Sequence, residues 1–134
     1  MFLEDYAYSI AMLLDLYDHT LKPNYLFKAK ELCKKTIELF YIKEKSIFQK
    51  NIVATNNLFH RPIDISDGNI PNGNSIMLLN FSRLKMKNEA KELSDSLNGY
   101  LNVYKSLMAS SLKSIEYFNM LDSNGNCTEK GCLI

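Results

Sequence analysis

Apolar residues recur along this chain with a helical period in five segments. Over residues 2–19, Leu3, Tyr6, Ala7, Ile10, Ala11, Leu13, Leu14 and Tyr17 form one stripe, and Met12 and Leu16 fill the other side. A helix apolar on nearly every side is expected to be buried. Residues 24–42 place Tyr25, Ala29, Leu32, Cys33, Thr36, Ile37 and Phe40 on one face and a Lys/Glu series on the rest, which predicts a half-solvated helix. Residues 74–86 are again mostly apolar. Residues 88–104 are amphipathic, with Gly99 inside the run at a cost of about 1 kcal/mol of helix propensity. Residues 106–121 return to a richer apolar face.

The order is buried, exposed, buried, exposed, buried. A small bundle would make every helix similarly amphipathic, whereas alternating inner and outer helices suit a two-layered helical ring. The predicted class is therefore all-α. Ile47-Phe48 and the span Leu58-Phe59-His60-Arg61 are expected to form a short β pair, with Asn56-Asn57 as its turn. From Asp122 onward the sequence reads as a turn and a loose tail carrying Cys127 and Cys132.

Composition narrows the classes. With 134 residues one domain is the ceiling, and the chain is long enough to bury a core. A formal net charge of +1, with Lys dispersed along helical faces, gives no electrostatic footprint for nucleic acid. No apolar run approaches the roughly 18 residues of a membrane span. Glu4 and Asp5 interrupt the start where a signal peptide would be apolar. Three Cys in a charged, Lys-rich chain read as reduced thiols, which predicts a cytoplasmic protein. Cys127 and Cys132 alone are weak evidence for metal, so no metal and no cofactor is expected.

The densest chemistry lies in residues 61–75, where Arg61, Asp64, Asp67, Gly68, Pro71, Asn72, Gly73, Asn74 and Ser75 precede the apolar run from Ile76. A polar, punctuated loop opening an apolar helix is where helical proteins place ligand-facing groups, beside the free N–H donors of the helix start. Asp67-Gly68-x-x-Pro71-x-Gly73-Asn74-Ser75 resembles the D-G-x-x-P-S-x-N-S signature of the spermatogenesis-associated, thioredoxin-domain-containing proteins. Leu3-Glu4-Asp5-Tyr6-Ala7-Tyr8 with Leu13-Leu14-Asp15-Leu16-Tyr17 is similar to that family's L-E-D-Y-A-F and L-L-D-L-Y. Cys127-Thr128-Glu129-Lys130-Gly131-Cys132 resembles its C-terminal C-x-x-x-x-C. The blocks keep the family's order across nearly the whole chain. Asn72 stands where the family usually has Ser, and Asn69-Ile70 replaces a common Ala-containing pair.

The resemblance implies an (α/α)6 toroid, the six-hairpin fold of N-acylglucosamine 2-epimerases and related glycosidases, of which residues 1–121 would form the C-terminal portion. It also implies an N-terminal thioredoxin-like domain, for which this sequence offers no C-x-x-C. The chain then reads as part of a longer protein, inactive by itself, whose partners are the rest of the parent chain and a carbohydrate ligand, with neither nucleic acid nor membrane. In such a ring the loops entering inner helices share one mouth. Asp5 and Asp67 become the candidate acid–base carboxylates, and Tyr6, Arg61, Asp64, Asn74 and Ser75 the candidate ligand contacts.

Each residue has a plainer role. Asp5 can stabilise a helix N-terminus. Asn74 or Ser75 can cap the following helix, and Gly68 and Gly73 can supply positive φ. Arg61 can clamp an anion or pair with Asp64 or Asp67. His60 is a weaker catalytic candidate, and His19 suits a helix C-terminus. The competing class is a non-catalytic helical scaffold, redox-linked through the missing domain.

Overall fold

A computed structural model describes residues 1–52 and 62–124. Five helices carry the described fold: α1 (Leu3–Thr20), α2 (Pro23–Phe40), α3 (Gly73–Arg83), α4 (Lys87–Tyr104) and α5 (Ala109–Asn124). One hairpin joins β1 (Tyr41–Ile42) to β2 (Ile47–Phe48). The all-α class holds, with this small sheet as its only strand pair among the described residues.

Local chemistry sets the breaks. α1 ends where Leu21 adopts φ 54° and returns its N–H to the Tyr17 carbonyl. Pro23 then sits at the start of α2, where its missing N–H costs nothing. The expected second helix ran to residue 42, but α2 stops at Phe40 and Tyr41–Ile42 turn extended. Aromatic and β-branched side chains favour that conformation, and Ile47–Phe48 lie in register to pair with them. Ile47–Phe48 is thus a strand as expected, but its partner is the preceding segment. The proposed partner around 58–61 lies outside the described residues. α5 begins after a short 3₁₀ turn at Lys105–Leu107 and continues past Asp122, where a turn had been expected.

α3 is the central element. It packs against α1 on one side and α5 on the other; α2 covers α1, and α4 covers α3 and α5. Met77, Leu78 and Phe81 of α3 are fully buried. Phe48 joins them, its ring centroid 5.8 Å from Phe81 and 5.0 Å from Tyr41. Gly73 allows the closest approach, because a Cβ there would lie 2.8 Å from Leu3 side-chain atoms. At the other end of the same helix pair, Arg83 Nη2 reaches Asp15 at 2.9 Å and Asp18 at 2.8 Å.

The prediction of a wholly buried first helix does not hold. α1 buries the stripe Leu3, Ala7, Ile10 and Leu14, while Met12 remains 55% exposed. α5 likewise leaves Leu112 and Met120 exposed. Among the described helices α3 packs against three others, α1, α4 and α5, and it buries most of its surface. No helix among the described residues is long and apolar enough to cross a membrane.

Candidate functional site

The two sequence blocks meet at one end of the helices. The start of α1 abuts the start of α3 through Leu3 and Gly73, and the Tyr8 hydroxyl donates to the Pro71 carbonyl at 3.0 Å. Between them opens a cleft of about 360 Å³, with Glu4, Asp5, Lys50, Asp64 and Ser66 on its polar walls and Phe2, Ile70 and Pro71 on its apolar ones.

Much of the motif loop faces inward. Asp67 accepts from the Ser110 N–H at 2.8 Å, the Asn72 N–H at 3.1 Å and Asn72 Nδ2 at 2.9 Å, and the Ser110 hydroxyl also donates to it. Ser110 lies in the first turn of α5, so Asp67 caps that helix from a distant loop, where a negative charge is favoured. The Asp67 N–H donates to the Leu107 carbonyl at 2.7 Å, closing the junction. Burial pushes the Asp67 carboxyl up, but the Ser110 and Asn72 donors outweigh it and hold the carboxyl below the usual range. The same charge, after burial, raises the Tyr8 phenol.

Asn72, not Asn74 or Ser75, caps α3. Its Oδ1 accepts from the Ser75 N–H at 3.0 Å. The helix therefore starts one residue earlier than expected, with Asn74 and Ser75 inside its first turn. Ser75 Oγ donates to the Asn72 carbonyl at 2.8 Å and lies 2.7 Å from Ser110 Oγ. Asn74 is fully buried and acts as a substitute strand residue. Its Oδ1 accepts from the Phe48 N–H at 2.9 Å, and its Nδ2 donates to the Phe48 and Asp64 carbonyls at 3.0 and 3.1 Å. Neither Gly68 nor Gly73 has a left-handed φ; space, not backbone freedom, explains Gly73.

The remaining candidates are closer to solvent. Asp5 Oδ2 accepts from the Phe2 N–H at 3.1 Å, so it serves the α1 N-terminus while also lining the cleft. Tyr6 sets its ring edge-on to Phe40 at 5.3 Å and donates its hydroxyl to Met1 Sδ. Asp64 pairs with Lys50 Nζ at 2.8 Å and accepts from the Ser66 hydroxyl at 3.1 Å. Burial opposes ionisation of Asp64, yet Lys50 and Ser66 hold its carboxyl low; the same pair raises Lys50. Arg61, His60, Cys127 and Cys132 lie outside the described residues. His19 closes α1 as expected, with Nδ1 2.9 Å from the Asp15 carbonyl oxygen.

Sequence reasoning passed over Lys50, Asn72 as a cap, and Ser110. Asn72 was legible, since Asn is a favoured cap three residues ahead of a free N–H. Lys50 and Ser110 carry no local signal, being joined to the loop only by tertiary packing. Among the described residues no group of three or more His, Cys, Asp or Glu is arranged to hold a metal ion. The chain matches no protein-family model and no curated protein.

Proposed function

We propose that this chain is the C-terminal portion of a carbohydrate-binding (α/α)6 toroid from a thioredoxin-domain-containing protein, and that it does not catalyse alone. The observation that carries this reading is the meeting of the Asp5 block and the Asp67 block at one cleft. Its walls combine carboxylates, an ammonium and apolar surface, the mixture that hydrogen-bonds sugar hydroxyls and covers a sugar ring. The layering also supports it: α1, α3 and α5 lie side by side, with α2 and α4 against them. Asp5 and Asp64 are the ligand-facing carboxylates in this reading, because Asp67, Asn74 and Ser75 spend their polar atoms within the fold.

The test is a titration of the chain, and of a longer parent containing it, with neutral hexoses and N-acetylated amino sugars. Saturable binding that Asp5→Asn weakens about tenfold, on the scale of one charged hydrogen bond, supports the reading. No saturable binding in either protein ends it.

A second reading has its own observation. The motif's polar groups knit loop, α3 and α5 together, as a non-catalytic helical scaffold would require. Capture of a protein partner by a chain that binds no sugar would favour it.

A further inference from the structure

Two polar side chains of the cleft are held rigidly from behind. The Asp64 carbonyl accepts from the buried Asn74 Nδ2 at 3.1 Å, and Asp64 Oδ1 accepts from the Ser66 N–H at 3.3 Å and the Ser66 hydroxyl at 3.1 Å. The backbone N–H of Lys50 donates to the Pro62 carbonyl at 2.6 Å, and its carbonyl accepts from the Leu3 N–H at 2.8 Å. The two side chains meet at 2.8 Å, Nζ to Oδ2, and stay 44% and 28% exposed on the cleft wall. Groups fixed in this way lose little freedom when a ligand arrives.

Their bonding capacity is only partly used. A carboxylate offers about four lone-pair sites and an ammonium three N–H groups. Ser66 occupies Oδ1 twice, and the mutual bond takes one site from Oδ2 and one N–H from Nζ. Among the described residues nothing else bonds to either side chain, so Oδ2 keeps an acceptor site directly beside free Nζ donors. Phe2 adds an apolar surface. Its bridge to Asn51 sets it next to Lys50, and it lines the same cleft while 49% exposed. An aromatic ring left open beside a fixed donor and acceptor suits the C–H face of a sugar.

We infer that Lys50 and Asp64 together read a vicinal diol, which narrows the ligands of this cleft to pyranosides with two adjacent free hydroxyls; the inference rests on the carbohydrate reading above. Adjacent ring hydroxyls held at a staggered torsion of about 60° lie about 3 Å apart. That spacing matches the 2.8 Å between Nζ and Oδ2, so one hydroxyl donates to Oδ2 while its neighbour accepts from Nζ. A sugar lacking either hydroxyl leaves one charged group without its ligand bond, and such a site rejects the analogue that cannot supply the bond.

The test titrates the 134-residue chain with the methyl pyranosides of glucose, mannose and galactose, followed by amide shifts in NMR spectra. The tightest binder is then replaced by its 2-, 3-, 4- and 6-deoxy forms. Two deoxy forms at neighbouring ring positions should each bind about tenfold more weakly than the parent glycoside, the scale of one hydrogen bond to a charged group, and the other forms should lose less. Lys50→Met should weaken the parent glycoside about tenfold and abolish its advantage over one of those two forms. Phe2→Ala should weaken every glycoside alike, and circular dichroism should show both variants folded. Equal binding of all the deoxy forms, or a discrimination that survives Lys50→Met, overturns the inference and leaves sugar binding standing. The deoxy series on the unaltered chain decides the first of these without any variant. No saturable binding of any glycoside ends the carbohydrate reading itself, and this inference with it.

Discussion

Replacing Asp67 by Ala should damage the fold before it damages any binding. The carboxylate accepts four hydrogen bonds from two residues, Asn72 in the loop and Ser110 in α5. Two of those donors have alternatives. Asn72 Nδ2 also reaches the Ile65 carbonyl at 3.1 Å, and Ser110 Oγ lies by Ser75 Oγ. The two backbone N–H groups have no second acceptor among these bonds. One is the loss of a helix cap, about 1 kcal/mol; the other is a half-buried donor left unpaired, about 1–3 kcal/mol. The expected loss is therefore about 2–4 kcal/mol, read as a lower urea midpoint at unchanged slope by circular dichroism. The pH dependence has a definite sign. The folded carboxyl is held below its ordinary value, so its contribution is complete above the unfolded value near pH ~4 and fades as pH falls through the folded one. The difference between parent and Asp67→Ala should accordingly shrink on acidification. A variant as stable as the parent at neutral pH, or a gap that widens with acid, would refute this account of Asp67.

The two helical glycines should respond oppositely. Gly73→Ala drives a methyl to 2.8 Å from buried Leu3 and should cost about 1–3 kcal/mol, whereas Gly99→Ala meets open space in α4 and should gain about 0.5–1 kcal/mol; thermal melts of both variants check the contrast. Cys33 is fully buried and its thiol is pushed up to about 12, chiefly by burial and then by Glu89. Alkylation followed by peptide mapping should find it unmodified in the native chain and labelled once urea unfolds it; rapid native labelling would contradict its placement.

Local order was legible because short-range chemistry fixes it. The helical periods located the five helices of the described residues, and Gly99 did not break α4 because the surrounding run is amphipathic. The end of α2 was missed because Tyr41–Ile42 fits a helical pattern as well as a strand, and only pairing with Ile47–Phe48 decides between them. The depth of α1 was overestimated for a related reason: apolar residues on every side permit burial, but neighbours must supply it, and α2 and α3 together leave the side of α1 that carries Met12 uncovered.

The candidate site divides the same way. Residue types in the 61–75 loop marked it as a junction of polar groups beside a helix start, and that needed only the sequence. Which polar groups turn inward depended on where α5 and β2 arrive. Ser110 and Phe48 lie far from the motif in the chain, yet their N–H groups claim Asp67 and Asn74. Lys50 reaches Asp64 in the same manner. Sequence alone set the helices, the turn chemistry and the supply of polar groups, because these follow from neighbours within a few residues. The tertiary structure alone decided which groups are spent on the fold and which face the cleft, because a buried donor or acceptor takes whichever partner packing brings within reach.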